Sequence, residues 1–230
     1  MNKILVLFSG GVDSTVCLFK AINEVGVKNV LALSFDYGQK NINELDKAKE
    51  ICDYLKVEHI IINIKDAFKF STSSLIKSSN KKIPHISYEK QFLKLGPKDE
   101  VSTNVAFRNG VMFSISASIA LSKKINRIYS GLHMEDEIIN QMYPDRSKKF
   151  TSVMSLLVNI GTNNKVSLML PLINMNKKEV IGLAKKINVP FEKTWTCLED
   201  DKNPCGKCSA CIERIKGFKD NNIIDPLNYK

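Results

Sequence analysis

The 230-residue chain has one tryptophan, three histidines and aromatic residues at only 8%. Its longest apolar stretches, residues 4–8 and 30–33, fall far short of the roughly 18 to 20 residues that cross a bilayer, so no membrane span is expected. Met1-Asn2-Lys3 leads straight into an apolar run and a glycine-rich loop, without the small-residue cleavage site of a secretory leader, and a cytoplasmic location is the expectation. His59, His85 and His133 lack metal-ligand spacing and read as structural. There is no internal repeat and no low-complexity block. Acidic residues are the scarcer charge, 24 against 34 Lys plus Arg, for a formal net charge of +10. The basic residues are scattered in pairs such as Lys81-Lys82 and Lys185-Lys186, which fits a solvated surface rather than a shaped groove, so no specific nucleic acid partner is expected. With 43% hydrophobic and 25% charged residues, a disordered tail or a fibre is excluded.

What is present alternates. Residues 4–8, 30–35, 59–62 and 127–130 read as strands, and residues 15–25, 43–55, 105–122 and 176–187 as helices. That order predicts βαβ crossovers and a parallel sheet with helices on both faces, its ligand beyond the carboxyl ends of the strands. Residues 67–100 lack clear periodicity and read as a long functional loop or lid. An α/β domain over 1–175 followed by a helical, cysteine-rich region over 176–230 is the expected organisation.

Ser9-Gly10-Gly11-Val12-Asp13-Ser14 follows the first strand and opens the first helix. Glycines permit a tight turn and close approach to a ligand, and the free N–H groups at a helix start favour an anion. The hexapeptide is neither a Walker A sequence nor a Gly-x-Gly-x-x-Gly fingerprint. It resembles the pyrophosphatase loop of enzymes that adenylate a substrate with ATP. The simpler alternative is a glycine turn capped by Asp13 or Ser14.

Four of the six cysteines, Cys197, Cys205, Cys208 and Cys211, follow the spacing C-x7-C-x2-C-x2-C. In a reducing compartment such a set suits tetrahedral zinc better than disulfides, with an iron–sulfur cluster or unligated thiols as alternatives. Cys17 and Cys52 fall inside predicted helices and read as core.

Together with Phe35-Asp36-Tyr37-Gly38-Gln39, Arg108-Asn109, Tyr143-Pro144-Asp145 and Thr194-Trp195-Thr196-Cys197, these motifs resemble, in order and spacing, the 7-cyano-7-deazaguanine synthase family. The resemblance implies a Rossmann-like, adenine nucleotide alpha hydrolase-like doubly wound sheet with a four-cysteine zinc tail, usually in a homodimer. It also implies conversion of 7-carboxy-7-deazaguanine, ATP and ammonia into the nitrile used for queuosine. ATP with Mg2+ would lie on residues 9–14 and on Phe35, Tyr37 and Gln39. Ser9, Asp13 and Ser14 would serve the chemistry, with Asp13 as helix N-cap. Arg108, Asn109, Asp136, Tyr143 and Asp145 would face the deazaguanine, and Zn2+ would sit on the four tail cysteines.

Two departures stand out. Lys40-Asn41 replaces the family's usual Arg-His after Tyr-Gly-Gln, and Tyr143-Pro144-Asp145-Arg146 lacks the usual cysteine before the arginine. They leave open a relative that passes the activated deazaguanine to an amine of a protein, for example in phage defence. A tRNA-modifying enzyme sharing the loop and a noncatalytic zinc module are the other readings.

Overall fold

The computed structural model describes residues 2–96, 99–133, 137–199 and 202–230. Among the described residues five parallel strands form one sheet: β1 (Ile4–Leu7), β2 (Val30–Asp36), β3 (Glu58–Asn63), β4 (Arg127–Tyr129) and β5 (Ser167–Met169), in the order β3-β2-β1-β4-β5. The chain winds outward from β1 through β2 to β3, then returns to β4 on the other side. The crevice between the ends of β1 and β4 is therefore the topological switch point, where open α/β sheets hold their ligands.

The central strand explains the two-sided cover. Ile4, Leu5 and Val6 are fully buried, as in a parallel strand covered on both faces. Ile4 and Val6 pack with Val16 and Leu18 of α1 (Val12–Val25), Ile51 of α2 (Asn43–Leu55), and Val180 and Ile181 of a later helix (Lys177–Lys186). Leu5 faces the other way, toward Phe113 and Ala117 in the helix Arg108–Ser122 and Met154 and Val158 in the helix Lys148–Gly161. In chain order the remaining helices are α3 (Tyr88–Phe92), α4 (Arg108–Ser122), α5 (Glu137–Met142), α6 (Lys148–Gly161), α7 (Lys177–Lys186) and α8 (Ser209–Asp220). Cys17 and Cys52 are fully buried in the α1/α2 core, as expected.

The four strands and four long helices anticipated from the sequence are present, α2 with the bounds expected and the others with shifted ends. α3, α5, α6 and β5 carry no counterpart in the sequence reading, and β5, a three-residue strand, offers no period to read. Residues 67–100 are not simply loop. They contain α3, whose N-cap Ser87 accepts the Lys90 N–H, and they are stitched to the sheet end by Lys40 N–H to Leu75 O at 2.7 Å and Lys77 N–H to Gly38 O at 2.8 Å. Among the described residues no helix is long and apolar enough to cross a membrane.

Candidate active site

A cavity of about 330 Å³ opens at the switch point. Its floor is the loop after β1. Ser9, Gly11, Val12, Asp13 and Ser14 line it, while Gly10 turns the chain through φ +75° and presses against α2, where an added Cβ would lie 2.8 Å from the Ala48 N and 2.9 Å from the Glu44 O. The hydroxyls of Ser9 and Ser14 are 3.2 Å apart, and the Ser14 hydroxyl donates to the Gly11 carbonyl at 3.0 Å. Gly11 is the N-cap of α1 and no side chain caps it. Asp13 sits inside the first turn, so the N-cap role expected of it does not hold. The start of α1 thus presents its amides to the cavity, an arrangement that suits an anion.

The Asp13 carboxylate is gripped by the Lys177 ammonium of α7 at 2.7 and 2.8 Å, with the His133 Nε2 at 3.6 Å. Burial alone would raise this carboxyl, but Lys177, then His133, hold it below its ordinary value of 3.8. Asp13 is therefore a fixed anion, tied to the helix that follows β5.

The end of β2 forms the second wall. Phe35, Tyr37 and Gln39 line it. Gln39 commits its amide to backbone, accepting from the Tyr37 N–H at 2.9 Å and donating to the Phe35 carbonyl at 3.2 Å, which fixes the turn that presents Tyr37. The Tyr37 hydroxyl accepts from Arg108 Nη1 at 3.1 Å, and the guanidinium lies 5.3 Å from the ring centroid.

Arg108 and Asn109 open α4 and form the third wall with Tyr143 and Asp145. Asp145 Oδ2 accepts the Asn109 N–H at 2.8 Å, and the Asn109 side chain returns a bond to the Asp145 carbonyl at 3.3 Å. One carboxylate oxygen of Asp145 therefore caps α4 across a separation in sequence that local pattern cannot reveal. The Tyr143 hydroxyl shares a hydrogen bond with Thr103, and its ring meets Tyr88 edge-on at 5.9 Å. Asp136 lies outside the described residues.

The fourth wall is the segment before the cysteines. Trp195 N–H donates to the Gly10 carbonyl at 2.9 Å. The Cys197 carbonyl accepts from both Trp195 Nε1 at 3.0 Å and Asn41 Nδ2 at 2.6 Å. Asn41, at the departure from the family pattern, thus braces the cysteine segment against the end of β2. Cys197, Cys205, Cys208 and Cys211 are all buried, and their sulfurs lie within 4.8 Å of one another. That spacing admits a tetrahedron with edges of roughly 3.8 Å, as metal–sulfur bonds of about 2.3 Å require. Cys208 N–H and Lys207 N–H point at the Cys205 sulfur at 3.2 and 3.4 Å, and Cys205 N–H at the Cys197 sulfur at 3.3 Å. Sulfurs that accept amide bonds in this way are prepared to carry negative charge, so the cluster fits a metal cation.

The structure also brings in residues the motifs did not single out. Glu44, in the first turn of α2, lines the cavity and hydrogen-bonds the Ser9 hydroxyl. Burial pushes its carboxyl up to about 7 against the pull of Arg108 and Ser9. Lys177 falls in the helix read over residues 176–187, where the structure shows Asn176 and Glu179 forming a capping box, but nothing local says that it reaches Asp13. His133, read as structural, faces Asp13; His59 is structural, bonded to the Ser34 hydroxyl at 2.7 Å.

A doubly wound parallel sheet with a Ser-Gly-Gly loop at its switch point and a four-thiol cluster against that loop defines a PP-loop protein of the adenine nucleotide alpha hydrolase type. Residues 3–222 match the family model described as Queuosine biosynthesis protein QueC. The chain belongs to that family. It is 35% identical over 229 residues to 7-cyano-7-deazaguanine synthase 2 of Colwellia psychrerythraea, covering 100% of this chain and 99% of the relative. It is likewise 35% identical over 229 residues to the 7-cyano-7-deazaguanine synthase of Alteromonas mediterranea, with the same coverage. Among solved structures, the U34-tRNA thiolase NcsA from Methanococcus maripaludis with its [4Fe-4S] cluster superposes with a TM-score of 0.50 at 18% identity, over 84% of this chain and 59% of that one. At that identity the likeness is one of fold.

Proposed function

We propose that the chain adenylates 7-carboxy-7-deazaguanine with ATP and lets ammonia displace AMP, giving the amide, then adenylates the amide oxygen and expels AMP again to leave 7-cyano-7-deazaguanine. A carboxylate resists attack because its oxygen is a poor leaving group, and transfer to the α-phosphate of ATP supplies AMP in its place. The observation that carries this reading is the placement of the Ser9 to Ser14 loop. It faces, across one cavity, the Arg108, Asn109, Tyr143 and Asp145 wall.

Catalysis of this kind is mainly positioning and charge stabilisation. The amides of α1 and the hydroxyls of Ser9 and Ser14 would hold the pyrophosphate portion. Phe35 and Tyr37 would flank the nucleoside, with Gln39 shaping their turn. Arg108 would meet phosphate or carboxylate charge, and Asn109, Tyr143 and Asp145 would orient the deazaguanine, Asp145 through the oxygen it does not give to α4. Asp136 remains part of the proposal by family analogy. Mg2+, held by the phosphates near the ionised Asp13, would offset their charge. Zn2+ on the four cysteines would fix the Trp195 wall rather than take part in bond making.

The protein-acceptor and tRNA-directed alternatives draw no support from the relatives. Both departures from the family pattern are accommodated in the cavity wall, Asn41 as a brace and Arg146 as a lining residue. Homodimerisation is part of the proposal, supported by the apolar stripe of α6, where Val153, Leu156, Leu157 and Ile160 are 59%, 58%, 54% and 69% exposed. A cytoplasmic location, whose reducing conditions keep the thiols available, completes the reading.

The direct test is the position of ATP cleavage. Incubation with the carboxylate substrate and ammonia should release AMP and pyrophosphate. Release of ADP and phosphate would refute the activation chemistry.

A further inference from the structure

Turning ammonia into a nitrile nitrogen removes three protons from one atom. One leaves as the N–C bond forms and the C–O bond to AMP breaks. Two leave in the second half, when the amide oxygen has taken AMP from a second ATP and that C–O bond breaks as the nitrogen lone pairs close the triple bond. No oxidant or reductant is involved, but a proton acceptor must stand beside the nitrogen.

The cavity offers few. Asp13 is held ionised between Lys177 and His133. Asp145 gives an oxygen to the start of α4. Tyr37, Tyr88 and Tyr143 are pushed up by burial and stay protonated. Cys197 belongs to the thiol cluster. Arg108 and Arg146 are cations. Glu44 is the lining carboxyl with neither a lysine partner nor a helix start to cap, among the described residues. It stands on α2 against the Ser9 hydroxyl of the phosphate loop, with Arg108 of α4 and Tyr37 of the β2 end as the charged and titratable groups facing it.

We propose that Glu44 accepts the protons shed by the ammonia-derived nitrogen in both halves of nitrile formation, an inference that rests on the synthase reading above. Its carboxylate takes an N–H proton as AMP departs and returns it to water between steps. The cavity suits the role, because burial pushes Glu44 up to about 7, where a carboxyl can both gain and release a proton at neutral pH.

The test compares the intact chain with Glu44→Gln and Glu44→Asp. Two activities are followed: carboxylate-dependent ATP–pyrophosphate exchange without ammonia, and nitrile formation with it. Glu44→Gln keeps the side chain's shape and its bond to Ser9, so exchange should fall by less than about tenfold. Nitrile formation should fall by about 10²- to 10⁴-fold, the usual worth of a positioned base. In the intact chain the rate of nitrile formation from the amide and ATP, a half-reaction free of ammonia's own titration, should rise with pH through the neutral range and then level. That limb should vanish in Glu44→Gln and persist, at lower rate, in Glu44→Asp. Parallel loss of exchange and nitrile formation in Glu44→Gln would make Glu44 a nucleotide-positioning residue and overturn the proposal, as would an unchanged pH limb. Absence of nitrile from the intact chain would instead remove the synthase reading, and this inference with it.

Discussion

Gly10→Ala tests how the phosphate loop is held. In the native turn Gly10 has φ +75°, and an added methyl would sit 2.8 Å from the Ala48 N and 2.9 Å from the Glu44 O. Both neighbours are backbone of α2, so no side chain can swing aside. Placing an L-residue in the left-handed region costs about 1 to 2 kcal/mol. Forcing a methyl into a contact of this kind adds roughly 1 to 3 kcal/mol. The sum, about 2 to 5 kcal/mol, is a large part of the roughly 5 to 15 kcal/mol that holds a domain of ordinary stability together. Relief would require the loop to lift from α2, straining the Trp195 N–H bond to the Gly10 carbonyl and the Ser9 contact with Glu44. Urea denaturation should show a lowered midpoint with an unchanged slope, and ATP–pyrophosphate exchange should weaken in the protein that remains folded. An unfolding free energy within about 0.5 kcal/mol of the unmodified chain, the usual effect of a surface change, would refute the close packing of loop on helix.

Three other outcomes follow from named contacts. Freshly purified protein should carry about one zinc per chain by metal analysis, and Cys208→Ala should lose it, with proteolysis opening first around residues 194–211; full zinc retention would contradict the four-thiol site. Lys177→Ala should destabilise the fold by about 1 to 3 kcal/mol, a buried-pair cost reduced because Asp13 is 27% exposed. Since the Asp13 carboxyl is lowered below 3.8, its contribution is present above about pH 4 and is lost as pH falls through the folded value. Thermal melts should therefore show the gap between variant and parent closing in acid, and a gap that widens there would reverse the sign. Finally, tRNA should bind weakly and nonspecifically despite the +10 charge; submicromolar binding at physiological salt, measured by fluorescence anisotropy, would favour a tRNA substrate.

The α/β alternation, the loop at residues 9–14 and the cysteine set were legible in the sequence because each is written in neighbouring residues. β1 announces itself through apolar side chains on both faces, and the loop announces itself by following a strand. Tertiary pairings were not legible. Lys177 meets Asp13, Asp145 caps α4, and Asn41 supports the Cys197 carbonyl, each across more than 30 residues with no periodicity between partners. Asp13 was misplaced as an N-cap for the same reason, since the helix begins three residues earlier than its apolar pattern suggested, at Val12. Glu44 reads in sequence as an acidic residue suited to a helix start. Only the approach of Ser9 and Arg108 gives it chemistry.

The central claim is that one chain carries a carboxylate through an amide to a nitrile. Mass spectrometry with 7-carboxy-7-deazaguanine, ATP and 15N-ammonia measures it directly. The account predicts a transient labelled amide, then labelled nitrile, with two AMP and two pyrophosphate per nitrile formed. Labelled product that stops at the amide, or deazaguanine mass appearing on a protein amine in place of nitrile, would contradict it.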